Sequence, residues 1–121
     1  MKVIITGASR GIGFEMVKCF LANGCDVLAI SRNADKLKEL EGLGAQVLPF
    51  DLTEDDFTPI IGVVKAFGRI DILINNAGAL VNKPLSQISN EDINHIYSVN
   101  VFSVIKLTRD LLPYFNTDAH I

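Results

Sequence analysis

The residues with the clearest chemical use stand at Thr6-Gly7-Ala8-Ser9-Arg10-Gly11-Ile12-Gly13. They lie between an apolar run, Val3-Ile4-Ile5, and a helical pattern from Phe14 to Leu21. A strand, a glycine-rich turn and a helix in that order can hold a pyrophosphate. Gly7 lets the chain turn sharply out of the strand, Gly11 leaves room for phosphate oxygens beside the backbone, and Gly13 lets the helix pack close to the strand. The free N–H groups and the dipole of the first helical turn then face the anion. A tight turn with no ligand is the competing reading, but three glycines weaken a helix start and nothing in such a turn would offset that.

Three further clusters stand where strands should end. The second strand ends Ile30-Ser31-Arg32, with no acid to hydrogen-bond a ribose 2′-hydroxyl. Arg32 there and Arg10 in the glycine turn suit a 2′-phosphate, because a guanidinium binds phosphate through a planar fork of donors. That favours NADP(H) over NAD(H); against it, a lone Arg32 would be an ordinary solvated loop residue. Asp51-Leu52-Thr53 ends the third strand. Asp51 could accept from an adenine amino group and Leu52 could lie against the ring, or Asp51 could cap the helix that follows. Asn75-Asn76-Ala77-Gly78 ends the fourth. Its small residues let backbone lie close to a flat ligand, and its amides could equally tie neighbouring strands together.

The elements that must position these residues alternate strand and helix. Strands are expected at Lys2–Thr6, Asp26–Ser31, Ala45–Phe50 and Asp71–Asn75. Helices are expected over Gly11–Asn23, with Ile12, Met16, Val17, Phe20 and Leu21 facing inward, and from Asn33 or Ala34 to about Glu41. A third falls within Thr53–Phe67, its main part capped by Thr58 with Pro59 at the first helical position. Ser89 caps a helix beginning at Glu91, and a long helix follows from about Ser98 to Phe115. Continuous apolar strands joined by helices imply an α/β doubly wound parallel sheet of order 3-2-1-4. The chain then stops where a fifth strand would begin, so the fourth strand, Ile-Leu-Ile at its centre, is expected to present an open edge. That edge and the apolar long helix predict an oligomer.

Bulk properties narrow the class. The 121 residues suit one domain, with 49% apolar and 21% charged residues, as in globular chains. A net charge of −3 without runs of like charge points to neither a nucleic acid nor a membrane surface. No signal peptide is expected from the start Met1-Lys2, and no apolar run reaches the length of a membrane span. Cys19 and Cys25 lack CxxC or metal spacing and read as reduced thiols of a cytosolic protein, with a disulfide as the alternative; no metal site is expected at His95 or His120.

Taken together, Thr6-Gly-x-x-x-Gly-x-Gly13, Asp51-Leu52-Thr53, Asn75-Asn-Ala-Gly78 and Asn100-Val101 resemble the classical short-chain dehydrogenase/reductase family in order and spacing along nearly the whole chain. The resemblance implies that Gly7, Ser9, Arg10 and Ile12 contact the pyrophosphate and adenosine moieties. It places Arg32 at the 2′-phosphate, Asp51 and Leu52 at the adenine, and Asn76, Ala77 and Gly78 on the adenosine ribose side. Asn100 matches the family's catalytic asparagine, which holds a water in a proton relay. The family's catalytic Ser, and its Tyr and Lys four residues apart, are not matched: four residues on from Tyr97 and Tyr114 stand Val101 and Asp118. The resemblance therefore implies the cofactor half of a hydride-transferring NADP enzyme acting on a small carbonyl or alcohol substrate, inert alone and oligomeric when complete. A non-catalytic dinucleotide-binding or redox-sensing module is the alternative.

Overall fold

A computed structural model describes all of residues 1–121. Five parallel strands form one sheet: β1 (Lys2–Thr6), β2 (Asp26–Ser31), β3 (Gln46–Pro49), β4 (Ile70–Ile74) and β5 (Phe115–His120). Their order is β3-β2-β1-β4-β5. The first four stand as the alternation of apolar runs and helices predicts. Helices α1 (Gly11–Ala22), α2 (Ala34–Gly42) and α3 (Thr58–Phe67) make the crossovers.

The central strands β1, β2 and β4 are covered on both faces, so their residues divide between two cores. Val3, Ile5, Val27 and Ala29 meet Val17 of α1 and Leu37 and Leu40 of α2. Ile4, Leu28, Ile30 and Leu73 meet Ile60 and Val64 of α3 on the other side. Burying one such side chain is worth roughly 1.5–3 kcal/mol.

After β4, α4 (Asn90–Tyr97), a π-helical stretch over Ser98–Phe102 and α5 (Ser103–Leu111) run on without a break. The helix expected from Ser98 is thus the second part of a run that begins at Asn90. Ser89 caps that run: its hydroxyl accepts from the Asp92 N–H, and the Asp92 carboxylate accepts from the Ser89 N–H, each at 3.0 Å. Buried Ser103 donates its hydroxyl to the Val99 carbonyl four residues back, an arrangement that loosens and bends a helix.

Three local expectations are corrected. The sheet does not stop at its fourth strand: β5 pairs with β4, so the outer edge belongs to β5. Arg69 pins the start of β5 by donating to the Phe115 carbonyl and, at 3.2 Å, to Asn116 Oδ1; Asn116 in turn donates to Asp71 at 2.7 Å. Thr58 does not cap α3. It is the first helical residue, Phe57 holds the cap position, and the Asp56 carboxylate accepts from the Thr58 N–H at 2.9 Å. Ile12 does not face inward: it is 75% exposed, because the first turn of α1 overhangs the carboxyl ends of the strands. Cys19 and Cys25 are both free thiols. No helix is long and apolar enough to cross a membrane.

Candidate functional site

The turn from β1 into α1 is built by close approach. Gly7 has φ +64°, and a Cβ there would stand 2.7 Å from the Ala77 Cα. A Cβ on Gly13 would stand 2.3 Å from the Gly7 carbonyl oxygen. Both positions therefore require glycine, one for conformation and contact together, the other for contact alone. The end of β4 is bonded onto this turn. Thr6 Oγ1 accepts from the N–H groups of Asn76 and Ala77 at 3.1 and 3.0 Å. Asn76 Nδ2 donates to the carbonyls of Thr6 and Gly7, each at 3.2 Å. Of the two roles open to the Asn75-Asn76 pair, strand-tying is thus realised at Asn76, whose residue also borders the cleft described next. Ser31 Oγ donates to Ser9 Oγ at 2.7 Å and joins the turn to the end of β2.

Helix α1 opens on this turn with its donors free. Arg10 holds the cap position in extended conformation, no side chain caps the helix, and its first turn carries no acid. The first N–H groups of any α-helix lack intrahelical partners. With the helix dipole, such free donors favour an anion. No heavy atom lies within 4 Å of where a Cβ of Gly11 would stand, which leaves room beside the backbone.

In front of α1 lies one cleft of about 730 Å³, at the carboxyl ends of the strands. Gly7, Ser9, Arg10, Gly11, Ile12, Arg32, Asp51, Leu52, Asn76, Ala77 and Gly78 all line it. Gly13 is buried behind it against Gly7. Arg10 and Arg32 are exposed, and neither guanidinium has an ion-pair or hydrogen-bond partner in the chain. Ser31, Asn33, Phe50, Ala79, His95 and Val99 complete the lining. Ser31, Asn33, Phe50 and Ala79 adjoin residues singled out in the sequence. His95 and Val99 lie one helical turn apart on α4 and the π stretch, and only the fold brings that helical run over the ends of β3 and β4.

Asp51 is not a helix cap. It closes a tight turn, accepting at Oδ1 from Thr53 N–H at 2.9 Å and Thr53 Oγ1 at 2.8 Å. Burial raises its pKa, but the two bonds from Thr53 and the positive charges of Arg32 and His95 outweigh this, so the carboxyl stays below its ordinary value. The second oxygen, Oδ2, has no partner in the chain.

Asn100 stands behind the cleft wall, in the π stretch. Its side chain clasps the Ala79 backbone in both directions: Oδ1 accepts from the Ala79 N–H at 2.7 Å, and Nδ2 donates to the Ala79 carbonyl at 2.8 Å. Its contact with the cleft runs through Ala79.

The chain is similar in sequence and fold to known proteins. A family model described as short chain dehydrogenase matches residues 1–120. Gluconate 5-dehydrogenase of Gluconobacter oxydans is 38% identical over 124 residues, covering 93% of this chain and 48% of the relative. The closed form of serine dehydrogenase complexed with NADP+ superposes with a TM-score of 0.83 at 31% identity, over 93% of this chain and 48% of that one. A 4-hydroxyisoleucine dehydrogenase complexed with NADH gives 0.84 at 25% identity, over 91% and 47%. The chain spans about half the length of the curated relatives it matches. With the family model matching nearly the whole chain and the fold superposing on solved members, the chain belongs to the short-chain dehydrogenase family.

Proposed function

We propose that this chain is the dinucleotide-binding part of an NADP(H)-dependent oxidoreductase that transfers hydride between nicotinamide and a small carbonyl or alcohol substrate. The observation that carries the choice of NADP(H) is the pair of partnerless guanidinium groups, Arg10 and Arg32, on a cleft where β2 ends without a carboxylate. Bidentate donors of fixed charge suit a 2′-phosphate. The cleft fits the rest of the cofactor. The N–H groups at the start of α1, with open space beside Gly11, receive the pyrophosphate. Asp51 and Leu52 border the adenine, and Asn76, Ala77 and Gly78 the adenosine ribose.

The nicotinamide supplies the hydride when bound, and the chain supplies position and electrostatics. Within these 121 residues no Tyr is followed four residues on by Lys, so the proton-transferring pair of the family is absent from them. The residues described here therefore bind cofactor without turning it over. Asn100 fixes Ala79 and with it the wall beside Gly78. A small-molecule substrate, a homo-oligomeric assembly and a cytoplasmic setting for the two free thiols belong to the same reading.

Fluorescence titration with NADPH and NADH tests it. NADPH is expected to bind more tightly. Arg32→Ala is expected to weaken NADPH by ~10- to 100-fold, the worth of one charge-assisted contact, and to leave NADH nearly unchanged. Equal losses for the two, or tighter NADH in the unaltered protein, would overturn the choice of NADP(H).

A further inference from the structure

His95 is the one imidazole on the cleft, and nothing in the pyrophosphate or 2′-phosphate sites needs it. It is half-buried on α4, and its ring makes no hydrogen bond within the chain. It lies close enough to Asp51 for its charge to help hold that carboxyl below its ordinary value. Val99, one turn further along the helical run, and Leu52, buried after the third strand, are apolar members of the same lining. Asp51 is already oriented: Thr53 occupies Oδ1 and leaves Oδ2 as an acceptor. Arg32 is the other charged group near this carboxylate.

The lining of the cleft thus includes an acceptor and a donor, with apolar residues among them. Asp51 offers the acceptor, and an imidazole N–H offers the donor. Adenine carries the complementary pair on one edge, an exocyclic amino donor next to a ring-nitrogen acceptor. Resting on the proposed dinucleotide reading, we infer that His95 is a base-recognition residue that donates to the adenine ring nitrogen beside the amino group held by Asp51. The pair sets the preference for adenine over a base that carries a carbonyl in place of the amino group.

Equilibrium binding of NADPH, NADH and reduced nicotinamide mononucleotide, which lacks adenosine, separates this role from the others. In the purified protein, His95→Leu is expected to weaken NADPH and NADH alike, by roughly three- to tenfold, the worth of one hydrogen bond. Binding of the mononucleotide is expected to stay unchanged. His95→Gln, which keeps an N–H donor, is expected to recover most of the loss. Unchanged dinucleotide binding in His95→Leu would overturn the inference, as would a loss confined to NADPH, which would place His95 at the 2′-phosphate. A loss shared by the mononucleotide would show a structural effect and also overturn it. Failure of the unaltered protein to bind any dinucleotide at millimolar concentration would overturn the dinucleotide reading itself, and the role of His95 with it.

Discussion

Thr6 carries the junction on which the cleft depends. One hydroxyl oxygen at the end of β1 accepts two backbone N–H groups from the end of β4, and both donors are partly buried. Thr6 itself is 1% exposed, so water cannot replace the oxygen. Thr6→Val keeps the shape and the β-branched preference for a strand, but leaves the N–H groups of Asn76 and Ala77 unsatisfied. Each orphaned buried donor costs about 1–3 kcal/mol. The variant is expected to lose about 2–4 kcal/mol of stability in urea unfolding and to bind NADPH more weakly, because Ala77 sets how close β4 approaches Gly7. A variant within 0.5 kcal/mol of the parent, roughly the scatter of a neutral surface change, would show that the junction holds without the hydroxyl. The glycine turn and the strand-end residues were legible in the sequence because their chemistry is local. The Thr6 acceptor was not, since a threonine ending a strand looks ordinary until β4 is placed beside it. His95 and Val99 stayed hidden for the same reason.

At the scale of elements, the sequence shows where an element exists more clearly than where it ends. Strands β1 to β4 follow from apolar runs, and α2 from its Asn33 cap, whose side chain accepts from the Lys36 N–H at 3.1 Å. The fifth strand escapes such reading because Asn116-Thr117-Asp118 is polar. It is held in place by pairing with β4, by Phe115 packed against the core and by the clasps of Arg69 and Asp71, none of which an apolar run announces. Asn100 looks like a helix start, yet it lies inside a helical run whose π stretch turns its side chain toward Ala79. The start of that run has a pH signature. Asp92 is drawn down from 3.8 to about 2, by its bond from Lys83 first and by the Ser89 N–H next. A carboxyl with a depressed folded-state pKa contributes stability that is present above the unfolded value and lost as pH falls through the folded one. The contribution of the α4 cap is therefore expected to disappear between about pH 4 and pH 2. Acid titration followed by circular dichroism should show a shallower loss of stability over that window in Asp92→Asn than in the parent. Identical acid limbs would mean that Asp92 does not govern it.

The whole molecule joins these scales at the point where the strand order turns. Chain direction leads from β1 outward to β2 and β3, then returns to β4 and β5 on the other side. The loops after β1 and β4 separate there and leave a crevice, as open parallel sheets do at such a reversal. Behind it the surface is not fully covered. Ile93, Tyr97, Val101 and Ile105 recur every four residues along the α4–α5 run and, with Leu112, are between 39% and 60% exposed. Side chains at that spacing share one helical face, and a contiguous exposed apolar stripe marks an association surface. The open edge first expected at β4 is covered by β5, so this stripe is the better candidate for the contact between copies. Light scattering on the purified protein is expected to show an oligomer that Ile105→Asp converts to a smaller species with its circular dichroism unchanged, because a carboxylate facing its own copy at a dry contact is left unpaired. Persistence of the parent assembly in Ile105→Asp would move the contact to the outer edge of β5. A strictly monomeric parent at high concentration would remove the homo-oligomer from the proposed function and leave the cleft reading, which rests on this chain's own residues, to the NADPH titration.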